Sequence, residues 1–147
     1  AISSELNAET PRSLVGLWHN SDTRLASIET EVFRQHCSDG RLVWLLRHKT
    51  QSITEWEIYT GNWDVEQNAL TYEIRLFERA QAPSFAISKR TNLTSSFEMV
   101  VGQVDSGSFE FERQWGLQPR TNVARRADAV PLPRTLRDKA SCNQITS

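Results

Sequence analysis

The chain has 147 residues, 38% of them hydrophobic, and its 17 basic and 18 acidic residues leave a formal net charge of -1. That length fits one domain with a core of its own. The near-neutral balance argues against a nucleic-acid or anionic-membrane partner, and no apolar run approaches the ~20 residues of a transmembrane helix.

Residues 1–12 are polar and end in Pro11-Arg12, with one helical turn expected over Ala8-Glu9. Strand signals then follow one another. Leu14-Val15-Gly16-Leu17-Trp18 is the first, and residues 28–37 form the second, alternating through Glu31, Val32, Phe33 and Arg34. Asp39-Gly40 is a hairpin dipeptide. In residues 41–48, Leu42, Trp44 and Leu46 share one face and His48 has the same phase. Residues 53–65 form a long fourth strand, interrupted by Gly61, where a bulge is expected. In residues 70–77, Leu70, Tyr72, Ile74 and Leu76 alternate against Thr71, Glu73 and Arg75. Ala82-Pro83 breaks the pattern and Phe85-Ala86-Ile87 is a short strand candidate. Phe97, Met99 and Val101 are in phase over residues 97–104, and Asp105-Ser106-Gly107 turns the chain. Over residues 109–115, Phe109, Phe111, Arg113 and Trp115 share a face.

Strands at roughly ten-residue spacing, joined by tight turns, mark an all-β antiparallel meander, a sandwich or a barrel. Strand–helix alternation is lacking, which excludes a Rossmann-type sheet. Residues 117–147 differ in character: they carry three of the five prolines and a set of arginines. They read as a tail lying outside the sheet, with a short helix over 133–140. The expected organisation is a single domain, 1–147, with the strands in 13–116 and the tail in 117–147.

Leu14-Val15-Gly16-Leu17-Trp18 resembles the G-x-W signature of lipocalins and bacterial lipocalin-like domains of the calycin type. Four later features agree in order: Glu31-Val32-Phe33 with Asp39-Gly40-Arg41-Leu42, Gly61-Asn62-Trp63 with Leu70-Thr71-Tyr72, residues 97–107, and Phe109-Glu110-Phe111-Glu112-Arg113. The resemblance covers residues 13–116. It implies an up-and-down antiparallel barrel of about eight strands, whose interior just holds one small ligand. It also implies that Gly16 and Trp18 close one barrel end, with a late-strand arginine stacked over the indole. Arg113 is the candidate because it is in phase with Phe109 and Phe111.

The chemistry-bearing residues are sparse. His19, His36 and His48 have no metal-ligand spacing, and His36 and Cys37 are strand neighbours that face opposite ways. Glu55 and Glu57 share one strand face opposite Trp56 and Ile58, which reads as a solvated outer face. No nucleophile-elbow, phosphate-loop, dinucleotide or calcium-loop motif occurs, so neither a metal nor a cofactor is expected. The pocket candidates are Leu42, Trp44, Leu46, His48, Tyr72, Ile74, Phe97 and Met99. Two readings of function stand. One is a binding protein with an open apolar pocket for a small hydrophobic molecule. The other is a protein-interaction or inhibitor module with a filled barrel. A small-barrel enzyme ranks third, since no nucleophile–base set is offered.

Cys37 and Cys142 are either free thiols or a disulfide tying the tail to the domain. A disulfide is the expectation, because a tail rich in proline and arginine has no evident apolar face. It requires an oxidising compartment, and the opening Ala1-Ile2-Ser3-Ser4 suits signal-peptide cleavage, so the protein is expected to be secreted or periplasmic.

Overall fold

The computed structural model describes residues 13–22, 27–113 and 121–142. Eight antiparallel strands follow one another in chain order and close into a barrel. They are β1 (Gly16–Asp22), β2 (Glu29–His36), β3 (Arg41–Lys49), β4 (Thr54–Glu66), β5 (Ala69–Gln81), β6 (Ile87–Val104), β7 (Ser108–Arg113) and β8 (Thr121–Arg126). A 3-10 helix, Arg134–Ala140, follows outside the barrel. The meander, its closure and the external C-terminal helix agree with the sequence reading.

Two strand assignments change. Of the short strand candidate Phe85-Ala86-Ile87 only Ile87 is in a strand, where it opens the 18-residue β6 that also takes in the strand read at 97–104, while Phe85, at φ +53°, and Ala86 lie in the loop before it. The eighth strand instead lies within the region read as tail, and it pairs with β1 through Trp18↔Arg126 and His19↔Arg125. Thr121-Asn122-Val123-Ala124-Arg125-Arg126 hides its strand character, because only Ala124 is fully buried and large apolar alternation is missing. The helical turn expected at Ala8-Glu9 and the side chain of Trp115 lie outside the described residues.

Directly paired residues share a face, so the register defines the inside of the barrel. One row across the wall runs Gly16, His36, Leu42, Gly61, and the next runs Trp18, Arg34, Trp44, Tyr59. Further along lie Val32, Leu46, Glu57 and Arg79, then Thr30, His48, Glu55 and Gln81. Gly61 marks the register shift in β4, as its sequence position predicts. A Cβ there would stand 1.8 Å from the Glu73 carbonyl oxygen.

The inner face is packed solid at the end that carries the β2–β3, β4–β5 and β6–β7 hairpins. Leu14, Trp18, Leu42, Leu70, Tyr72, Met99, Phe109 and Phe111 form one buried cluster there. His36 stacks on Trp63, with ring centroids 4.7 Å apart.

A second apolar cluster covers the outer wall of β2–β5: Phe33, Val43, Leu45, Trp56, Ile58 and Ala80. The C-terminal segment lies over it, burying Leu136 and packing Val130, Leu132 and Ala140 against the same patch. The tail thus has an apolar face, contrary to the sequence expectation. This also inverts the reading of β4. Trp56 and Ile58 are buried outside the barrel, beneath this strap, and Glu55 and Glu57 point into the barrel mouth. Simple alternation assumes one wet face, and here both faces of the strand are covered.

Polar ties hold the strap. Lys139 Nζ meets both carboxylate oxygens of Glu78 at 3.1 and 3.0 Å, and Glu78 is only 2% exposed. Thr135 donates to the Phe85 carbonyl (2.9 Å) and Gln35 to the Ala140 carbonyl (3.0 Å). Arg41 donates to the Cys142 carbonyl, and Cys142 is disulfide-bonded to Cys37.

Candidate functional site

The inner face forms a lumen with a sealed floor, an aromatic wall and a polar mouth. At the floor, Trp18 Nε1 donates to the Leu14 carbonyl at 2.9 Å, and Phe109 meets its ring edge-on at 4.8 Å. The guanidinium over the indole belongs to Arg126, 3.9 Å from the ring centroid. It also donates to the carbonyls of Ser13 (2.9 Å), Val15 (2.5 Å) and Ser106 (3.1 Å). The sequence assigned this place to Arg113. Arg113 pairs with Met99, four residues along β7 from Phe109, or roughly 13 Å at strand rise. The phase of Arg113 is right and its end of the barrel is wrong. Barrel closure brings the last residue of β8 beside Trp18 instead.

Gly16 explains the glycine of the signature. Its φ is +127°, and a Cβ would sit 2.1 Å from Arg126 Nη1. The glycine therefore leaves the space through which the arginine reaches the indole.

Above the floor, a buried hydrogen-bonded chain crosses the lumen. His36 Nδ1 donates to the Leu14 carbonyl (2.7 Å), so its Nε2 accepts from the Tyr72 hydroxyl (2.6 Å). Burial pushes the His36 pKa down to about 3, which keeps the ring neutral. Burial also raises the Tyr72 pKa, so the phenol keeps its proton. The Tyr72 oxygen in turn accepts from Arg34 Nη1 at 3.3 Å.

All eight pocket candidates fall on the inner face by register. Leu42, Tyr72, Ile74 and Met99 belong to the sealed half and are fully buried. Trp44, Leu46 and Phe97 line the other half and are only half-buried. Trp44 meets Tyr59, Tyr72 and Phe97, each at 5.4 Å between centroids. Burial, first of all, pushes the Tyr59 pKa up to about 12.

His48 stands at the mouth. Its Nε2 lies 2.5 Å from Glu57 Oε1 and its Nδ1 3.0 Å from the Thr30 hydroxyl. Arg79 lies 3.5 Å from both Glu55 and Glu57, and Gln81 donates to Glu55 at 2.7 Å. The Glu57 hydrogen bond raises the His48 pKa, and His48 in turn lowers that of Glu57. Ligand atoms of His48, Glu55 and Glu57 lie within 4.8 Å of one another, a set that could hold a divalent cation. Arg79 already supplies positive charge to both carboxylates. With His48 protonated the four groups neutralise one another, so the arrangement works as an ion-pair network.

A separate cleft of about 490 Å³ lies on the outer wall, between β1–β3 and residues 127–131. Its His19 and Glu31 are already paired with each other.

Sequence reading missed Arg34, Tyr59, Glu57, Arg79 and Arg126 as lumen residues. All but Tyr59 are charged; charged side chains are ordinarily placed outside, and only the register turns these inward. Arg34 did carry a signal, since it shares the phase of Val32 and His36.

No protein-family model, curated protein or solved structure matches the chain.

Proposed function

We propose that the barrel is a lipocalin-like binding protein that takes a small molecule with an apolar body into its lumen. One observation carries this reading. Trp44, Leu46 and Tyr59 face inward on strands paired on both sides, yet stay half-buried, while Trp18, Leu42 and Tyr72 in the same lumen are sealed. A filled barrel, as an interaction module would have, would bury both groups alike. Aromatic walls with a few placed polar groups are the usual lining of small-molecule sites. The Cys37–Cys142 bridge supports a secreted or periplasmic location.

The test is a titration with the neutral fluorophore N-phenyl-1-naphthylamine. Saturable enhancement is expected, lost in Leu46→Trp, which fills the lumen, with an unchanged far-UV spectrum. A folded wild-type protein that binds no probe favours the interaction module.

A further inference from the structure

Arg34 is a charged group buried inside the barrel without a counter-ion among the described residues. It is 3% exposed. Its Nε donates to Asn20 Oδ1 (3.3 Å), and its Nη1 contacts the Tyr72 oxygen (3.3 Å) and the Met99 sulfur (3.6 Å). Among the described residues no carboxylate pairs with it, and Nη2 donates no hydrogen bond. The guanidinium instead lies over Phe111, Trp44 and Tyr72, at 4.4, 5.5 and 5.7 Å from the ring centroids. Ring faces and neutral acceptors offset the burial of a cation only in part.

A second unmet donor lies next to it. Trp44 Nε1 is buried and has no hydrogen-bond partner among the described residues. Trp44 is directly opposite Arg34 across β2–β3. Tyr72 cannot serve as a donor here, because its hydrogen is committed to His36. Arg79, by contrast, is occupied by Glu55 and Glu57 at the mouth. Among the described residues, Arg34 is thus a lumen cation without an anion, deep beside the aromatic wall.

We propose that the ligand is a carboxylate with an apolar tail, its head paired with Arg34 and accepting from Trp44 Nε1, its tail running along Leu46, Tyr59 and Phe97 toward the mouth. This rests on the reading of the lumen as a binding site. A planar guanidinium takes a carboxylate through charge-assisted hydrogen bonds, and these are worth most where water is excluded.

Decanoate and decanol, which share a tail and differ in head, separate the two claims by calorimetry at pH 7.5. The expected result is decanoate binding about tenfold or more tighter than decanol, equivalent to ~1.4 kcal/mol. In Arg34→Met the preference should vanish while decanol binding persists. Trp44→Phe keeps the ring and loses the donor, so it should weaken decanoate alone. It serves as a second variant if Arg34→Met fails to fold. Equal wild-type affinity for the two compounds overturns the carboxylate proposal and leaves the lumen reading intact, with Arg34 a structural cation. Failure of both compounds and of N-phenyl-1-naphthylamine overturns both.

Discussion

Replacing Gly16 by alanine tests how the barrel floor is built. The perturbation has two parts. The backbone at φ +127° is a conformation that alanine adopts only with strain, costing about 1–3 kcal/mol. The new Cβ would also lie 2.1 Å from Arg126 Nη1, so the guanidinium must leave. Its departure removes a cation–π contact with Trp18, worth ~0.5–2 kcal/mol, and uncovers a fully buried indole. It also breaks hydrogen bonds to Ser13, Val15 and Ser106. Arg126 is itself solvent-exposed, so water replaces much of what those bonds contribute. The total is about 2–5 kcal/mol, which urea denaturation reads directly and which lowers Tm by several degrees per kcal/mol at this size. A double-mutant cycle separates the two parts. In an Arg126→Ala background the cost of Gly16→Ala should fall to its backbone part alone. A single-mutant cost below ~1 kcal/mol, or strict additivity with Arg126→Ala, would refute the reasoning.

The mouth network should be pH-dependent. The His48 pKa is raised above its usual 6.5, so its contribution is full below that value and lost as pH rises through the folded value; the Glu57 pKa is lowered from 4.5, so its contribution is full above that value and lost as pH falls through the folded one. The stability gap between wild type and Glu57→Gln should therefore peak between about pH 4.5 and 6.5, and an equal gap at pH 5.5 and 8.5 would contradict the pairing. The Cys37–Cys142 bridge spans a sequence separation of 105. Chain entropy then sets a ceiling of about 4–5 kcal/mol on the loss in Cys142→Ser. Two titratable thiols in unreduced, denatured protein would remove the bridge and the argument for an oxidising compartment.

Strand identity was legible in the sequence wherever large apolar residues alternated with polar ones, as in Leu70-Thr71-Tyr72-Glu73-Ile74, and wherever turn chemistry was explicit, as at Asp39-Gly40. It failed at β8, where Ala124 is the one fully buried residue and two arginines follow it. The facing of β4 failed for a different reason. Period two says which residues lie together but not which face is inside. Trp56 and Ile58 marked a buried face correctly, and only the strap shows that this face lies outside. The floor motif was legible in its glycine and tryptophan. Its arginine was not, because barrel closure pairs the last strand with the first across more than a hundred residues, a contact with no local signature. Buried charge was the least legible of all: the phase Arg34 shares with Val32 and His36 was its one signal, and only the register places it opposite Trp44.

The strap also bears on the mouth. From Arg126, beside the floor, residues 127–142 cross the outer wall to Thr135, which bonds the Phe85 carbonyl in the β5–β6 loop. They then return past Glu78 and Gln35 to Cys37, at the β2–β3 hairpin of the sealed end. The segment thus links the loop at the open end to the hairpin at the closed one. Phe85 packs in the same outer cluster as Trp56 and Ala80. That loop adjoins Gln81, which completes the mouth network through Glu55. The position of Glu55 and Gln81 therefore depends on packing outside the barrel. Because β3, β4 and β5 are held from outside, their inward faces need not fill the lumen to be stable. Trp44 and Tyr59 can then remain partly uncovered without the wall collapsing onto them.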